Sequence, residues 1–483
     1  MKNCRVKTII VYIVAAMLAI AAFAGFSKPK SAFAASERTF RIANWEDYIY
    51  IDEDSEDERS MINDFEEYYE EKTGEKIKVE YTTFGTPEDL YNNLKINKNS
   101  YDVMSPSDYM IEKMAREGML QKINLPMDGE YRTNVSPYIE QIFDNIKWNE
   151  NGIEVSLSDY AAGYMWGTLG LVYNSAKVSD EDMTSWKALW SGKFDNKFTI
   201  KNSVRDTYFM TLAKVYYEEL TALDSSNADY NEKITEIFNR TDSDTVEKVK
   251  SAMKTLKNNS YGMEVDSGKN DIVTGKIDVY FAWSGDAVYA MDAAEDVADG
   301  ETPVYLNYSV PEEGSNVWFD GWCVPKDSKN ADIAVEFIEY LSMPENAIKN
   351  MDYIGYVSCI GCSEVFERAF ELYNEEDGSP VDLSYFFRRE GDMADYIINC
   401  SSKVRQFAAQ YPSEEVIKRC AVMSYFDDAA NERINTMWME IKSSSGGCGS
   451  ALNGDASMVL LLSALGICSV VCIVVKAKTK KEN

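Results

Sequence analysis

From residue 39 the chain falls into short strands alternating with amphipathic helices. Residues 39–44 alternate apolar and polar as a strand does, and 61–72 place Ile62, Phe65 and Tyr69 on one helical face ahead of Gly74, which stops the helix. A second strand is predicted at 77–82. Thr86, Pro87, Glu88 and Asp89 then supply an N-cap, a first-turn proline and acids at the positive end of a helix reaching residue 96. A third strand at 101–105 and a helix from Ser107 or Asp108 to Gly118 complete a β-α-β-α-β unit, the pattern of a largely parallel sheet with helices on its faces.

The span 119–166 is less regular. Beyond it, strands at 167–174, 197–201, 278–283, 304–309 and 317–324 and helices at 205–220, 244–257, 284–296, 331–341, 343–353, 414–423 and 429–441 make a second α/β unit. Two such units predict two lobes facing each other across a cleft. Ligands of open α/β sheets collect beyond the carboxyl ends of the strands, and rings sit beside acids there: Trp45, Asp47 and Tyr48 after the first strand, Tyr109 after the third, and Trp283 after Val279-Tyr-Phe-Ala282. Trp318-Phe-Asp320 lies within another strand-like run, and Asp206 opens a helix, where its ordinary role would be that of a helix-terminal acid. Aromatic faces attract cations and cover methylenes, while buried carboxylates pair with ammonium groups. Together they imply a flexible organic cation charged at its ends.

Composition narrows the chemistry. The 483 residues are 45% hydrophobic, enough for two or three domains with real cores, and the formal net charge is −31. Both ends are basic, so the body is more acidic still; it repels phosphate backbones, and nucleic acid is excluded as a partner. Solubility alone accounts for much of this charge, and only the acids set among rings bear on function. The chain has no histidine, which removes Ser-His and Cys-His nucleophile pairs and histidine-ligated zinc. Its nine cysteines are too scattered over so large a body for a disulfide scaffold. No cofactor, metal or catalytic residue is expected.

The ends point to a membrane. Lys2, Arg5 and Lys7 precede an apolar run over 9–26, and Ala32-Phe-Ala34 suits cleavage after Ala34; residues 1–34 read as a secretory signal peptide or an uncleaved N-terminal anchor. Residues 458–475 carry no charge and abut Lys476, Lys478, Lys480 and Lys481, which predicts a transmembrane helix with a cytoplasmic basic tail at 476–483. A Ser/Gly-rich tether at 443–457 would hold the acidic body outside the cell.

With these residues in view, the body resembles the solute-binding proteins of spermidine/putrescine ABC transporters. The matching stretches are Asn44-Trp45-Glu46-Asp47-Tyr48, Tyr101 to Tyr109, Tyr164-Met-Trp-Gly-Thr-Leu-Gly170, Ser185-Trp-Lys-Ala-Leu-Trp190, Val204-Arg-Asp206, Trp283-Ser-Gly285, Trp318-Phe-Asp320 and Ile354-Gly-Tyr356, eight in the expected order. The resemblance implies a two-lobed, periplasmic-binding-protein-like α/β fold of type II, with mixed, mostly parallel sheets, flanking helices and, here, terminal hydrophobic helices. Lobe 1 would span 35–160 and be completed by 317–365; lobe 2 would span 161–316 and be completed by 366–442. It also implies that Trp45, Tyr48, Tyr109, Trp283, Trp318 and Tyr356 line a polyamine's methylenes, that Asp206 and Asp320 meet its ammonium groups, and that Asp47 holds another end together with Ser107.

Three departures stand out. Ser203 replaces an acid common in relatives, a glutamine of their C-terminal region has no counterpart near 423–427, and Cys359-Ile-Gly-Cys362 is foreign to the pattern. That pair reads as a local disulfide or idle thiols, as structural cysteines paired elsewhere, or as a redox or metal site with Cys400 and Cys420. The leading expectation is an extracellular, membrane-anchored protein that captures putrescine or spermidine and delivers it to an ABC permease. Alternatives are a binder or sensor of another organic cation and a carboxylate-dependent extracellular hydrolase.

Overall fold

A computed structural model describes residues 37–444 apart from 53–58, 99, 299–301 and 402–403. The expected signal segment and C-terminal membrane helix lie outside the described residues. Among the described residues, no helix is long and apolar enough to cross a membrane.

The fold is a mixed α/β arrangement built on one continuous sheet with a parallel group of strands at each end. In the first group, β1 (Arg38–Trp45) lies between β2 (Ile77–Phe84) and β3 (Val103–Met104), parallel to both. Helices α1 (Met61–Thr73), α2 (Pro87–Ile96) and α3 (Asp108–Arg116) link and follow these strands. The anticipated caps are in place: Thr86 Oγ1 accepts from the Asp89 N–H, and Gly74 ends α1 in the left-handed conformation. Only Val103 and Met104 of the expected strand 101–105 enter the ladder.

The second parallel group forms around β5 (Phe198–Lys201), which runs between β6 (Gly262–Glu264) and β7 (Val279–Trp283). Two long strands join the groups. β4 (Ala161–Asn174) is buried along its whole length, and so is β9 (Ser315–Pro325). They pair antiparallel with each other; β9 meets β3 at its far end, and β4 meets β7 and β8 (Leu306–Ser309) at its far end. Full burial removed the alternation that marks a half-exposed strand, so the sequence pattern shortened both strands.

The register between β4 and β9 slips once: Asp320 faces Met165, but Gly321 faces Gly163, leaving Tyr164 as an extra residue.

Two helices differ from their predicted limits. The expected helix 205–220 breaks at Tyr216 into α4 (Val204–Val215) and a short Tyr217–Thr221 turn. The expected helix 414–423 stops at Lys418, because Cys420–Ala421 is recruited into the sheet beside Ser315 and Asn316; tertiary pairing overrides local propensity there. No element is predicted for 363–411, where the helix Ser363–Tyr373 packs over a hairpin of Ser379–Asp382 and Ile397–Cys400. An aromatic cluster pins this segment to the long strands, with Phe386 stacked on Trp166 at 5.1 Å.

Candidate functional site

Both parallel groups aim their carboxyl ends at one cavity of about 300 Å³. From the first group, the residues following β1, β2 and β3 supply Trp45, Asp47 and Tyr48, then Phe84 to Pro87, then Ser107 to Tyr109. From the second, the residues following β5, β6 and β7 supply Ser203 and Asp206, then Asp266 and Lys269, then Trp283, Asp286 and Tyr289. The crossing strand β9 lays Asn316, Trp318 and Asp320 along the wall between them, and Tyr356 follows a helix that ends in left-handed Gly355. All ten residues singled out from the sequence, Trp45, Asp47, Tyr48, Ser107, Tyr109, Asp206, Trp283, Trp318, Asp320 and Tyr356, line this cavity.

The rings touch one another. Trp45 and Trp283, from opposite groups, lie 6.3 Å apart between ring centroids; Tyr48 stands edge-on to Tyr356 at 5.1 Å, and Tyr356 edge-on to Trp318 at 5.6 Å. Two glycines make this contact possible. A Cβ on Gly285 would lie 2.1 Å from the Tyr356 ring, and one on Gly167 would lie 2.7 Å from the Trp318 ring. The turn after β1 is fixed as well: Asp47 takes the left-handed conformation, and the Tyr48 carbonyl accepts from Asn44 Nδ2 at 3.1 Å and from the Tyr164 hydroxyl at 2.7 Å.

Asp320 is a buried acid of the cavity. It is 4% exposed and accepts from the Tyr48 hydroxyl at 2.9 Å and from Ser107 Oγ at 2.8 Å, and it makes no ion pair with any described residue. Burial pushes its pKa up to about 7; the two hydroxyls pull the other way, and the neighbouring Asp206 adds to the rise. Asp206, in the first turn of α4, likewise has its pKa raised by burial and forms no ion pair with a described residue. Asn316 is fully buried, gives its amide hydrogens to the Val317 and Ala421 carbonyls, and leaves Oδ1 without a donor among the described residues. These are acceptors suited to ammonium groups.

Other acids already have partners. Asp286 accepts from the Tyr280 and Tyr356 hydroxyls, each at 2.8 Å, and from Lys201 Nζ at 3.2 Å. Lys201 is fully buried, with Nζ 3.9 Å from the Trp283 ring centroid. Asp108 accepts from the backbone N–H groups of Tyr109 and Phe319, fastening α3 to β9. Arg205 is buried with its guanidinium 4.1 Å from the Tyr109 ring, a contact across the two groups, and it donates to the Ser424 carbonyl at 2.8 Å.

One expected arrangement differs. Ser107 bonds Asp320 and does not share an end with Asp47, whose carboxylate is mostly exposed and lies 3.8 Å from Lys269 Nζ. The sequence reading also missed Asp286, Lys269, Tyr289, Asn316 and Met423. The first three follow strand ends, the signal that located the others, whereas Met423 enters the cavity only because Cys420–Ala421 pairs with β9. Cys359 and Cys362 carry free thiols, as do Cys323, Cys400 and Cys420. Burial holds Cys359 well above the usual thiol range and Cys362 at about 11, so both stay protonated and unreactive at neutral pH. Among the described residues, no three His, Cys, Asp or Glu side chains are grouped to hold a metal ion.

Known proteins share this organisation. The chain is 27% identical over 327 residues to the spermidine/putrescine-binding periplasmic protein of Salmonella typhimurium, covering 68% of this chain and 79% of that one. It is 24% identical over 418 residues to the putrescine-binding periplasmic protein SpuD of Pseudomonas aeruginosa, covering 85% of this chain and 93% of that protein. Among solved structures, the spermidine/putrescine ABC transporter substrate-binding protein PotD of Streptococcus pneumoniae superposes with a TM-score of 0.54 at 25% identity, over 84% of this chain and 99% of that one. A putative spermidine/putrescine ABC transporter protein of Listeria monocytogenes superposes at 0.59 with 22% identity, covering 84% of this chain and 99% of that one, and shares the fold. The model of the bacterial extracellular solute-binding proteins matches residues 60–361, more than half of the chain, and the chain belongs to that family.

Proposed function

We propose that the protein captures a polyamine, putrescine or spermidine, outside the cytoplasmic membrane and delivers it to the permease of an ABC transporter. One observation carries this reading: Asp320 is a buried carboxylate with no cation of the described protein beside it, set in a cavity walled by Trp45, Tyr48, Trp283, Trp318 and Tyr356. A carboxylate is rarely kept in such a place without a partner, and an alkyl diammonium supplies both the missing charge and a chain for the rings to cover. The relatives above, named as spermidine/putrescine-binding and putrescine-binding proteins, support the same ligand class.

Trp318, Trp45 and Trp283 cover the methylenes, Asp320 and Asp206 receive the ammonium groups, and the Asn316 carbonyl adds an acceptor. Because these residues come from both parallel groups, the ligand favours the closed arrangement through contacts it makes only there. The two lobes of this type II arrangement are residues 35–160 with 317–365 and residues 161–316 with 366–442. Residues 1–34 export the chain or anchor it, the uncharged apolar run 458–475 ties it to the membrane, and binding proceeds without turnover of the ligand.

Isothermal titration of the purified protein with putrescine, spermidine and 1,4-butanediol tests the proposal. Both amines are expected to bind with micromolar or tighter affinity and to be recovered unchanged, while the diol gives no heat. A diol that binds as well as putrescine would overturn the reading.

A further inference from the structure

The cavity already contains an ammonium group of the protein's own. Lys269, in the helix α5 (Gly268–Val273) that follows β6, has a side chain only 10% exposed. Its Nζ lies 2.7 Å from Asp266 Oδ1, 3.8 Å from Asp47 Oδ2 and 4.9 Å from the Tyr289 ring centroid. A lysine side chain is four methylenes ending in an ammonium, the same fragment that ends a polyamine. The groups around it, two carboxylates and a ring, repeat the chemistry of the rest of the cavity.

We propose that Lys269 serves as a built-in third ammonium, filling the subsite of Asp47, Asp266 and Tyr289 and thereby restricting the ligand to two ammonium groups, a diamine rather than a triamine. The inference rests on the polyamine reading above and adds the specificity-determining residue. The distribution of charge supports it. Asp286 is matched by Lys201, and Asp266 and Asp47 by Lys269, while Asp108 is held by backbone N–H groups. With Asp108 held by backbone N–H groups, Asp206 and Asp320 are the remaining buried and half-buried cavity carboxylates that form no ion pair with a described residue, which suits a dication. Burial works against the charge on Lys269, yet Asp286, Asp266 and Asp47 together hold its pKa above the usual lysine value, so it remains an ammonium. Asp47 follows β1 and Lys269 follows β6, so the same side chain also bridges the two groups of strands.

The test is titration of the wild type, Lys269→Ala and Lys269→Met with putrescine and with spermidine. The wild type binds putrescine more tightly. Lys269→Ala frees both the space and the carboxylates, and the spermidine affinity rises about tenfold relative to that for putrescine. Lys269→Met frees the carboxylates but keeps the stem, and the relative gain falls to about threefold. If the alanine variant does not fold, the methionine variant decides alone. A putrescine-to-spermidine ratio that neither variant moves overturns the inference while leaving polyamine binding intact; a wild type that binds neither amine overturns both.

Discussion

Asp286 and Asp320 are near-equivalents with opposite fates. Both are almost fully buried and line the same cavity, and both accept from two hydroxyls, Tyr280 and Tyr356 for one, Tyr48 and Ser107 for the other. Asp286 also has Lys201 at 3.2 Å, whereas Asp320 has no cation among the described residues. The comparison separates two uses of a buried acid: where the chain supplies the cation, the acid is satisfied within the protein, and where it withholds the cation, the acid is the one proposed to receive an ammonium group. Burial of an uncompensated charge costs free energy, and the free protein bears that cost at Asp320.

The largest expected effect comes from abolishing the contrast. Asp320→Asn should weaken polyamine binding on the order of a thousandfold, about 4 kcal/mol, because an ammonium would enter a buried site with no counter-charge. The same variant should raise the melting temperature of the ligand-free protein at pH 8. If titration finds affinity unchanged, Asp320 is not the ammonium site. Lys201→Met should do the reverse, lowering the stability of the free protein by about 3 kcal/mol in denaturant unfolding because it strands Asp286.

A smaller effect follows from pH. The pKa of Asp320 is raised in the folded state, to about 7, so the folded protein holds this proton more tightly than the unfolded chain does. Its contribution to stability is therefore present at low pH and is lost as pH rises through about 4 to about 7. Binding a cation demands the ionised form, so affinity should fall by up to about tenfold per pH unit below 7, with proton uptake by the buffer visible in titrations at pH 6. A pH-independent affinity between 5.5 and 8 would remove Asp320 from the mechanism. The smallest effect is expected at a ring: Trp45→Ala should weaken binding about fivefold, roughly 1 kcal/mol, for both putrescine and spermidine.

Much of this site was legible in the sequence because topology gathers the carboxyl ends of parallel strands, and Trp45, Tyr109, Asp206 and Trp283 sit just beyond such ends. The Asp286–Lys201 pair was not legible. Its members are 85 residues apart and meet only because β5 and β7 lie side by side; in the sequence Asp286 looks like any acid in a helix's first turn. Lys269 was hidden for a related reason, since its partners Asp266 and Asp47 come from different strand groups. The long strands were shortened because complete burial erases the alternation on which strand reading depends, and 363–411 was overlooked because its aromatics serve a cluster rather than a single helical face.

The slipped register between β4 and β9 makes recognition a matter of parity. Tyr164, the residue in excess, holds the Tyr48 carbonyl, and Asp320 occupies the last position before the slip. Deleting Tyr164 would leave Asp320 opposite Met165 and Gly321 opposite Gly163 in an unbroken ladder, so what it removes is the hydroxyl that holds the Tyr48 carbonyl. A single-residue insertion or deletion elsewhere in the paired stretch, where no bulge absorbs it, would instead turn the residues beyond it to the opposite face of the strand.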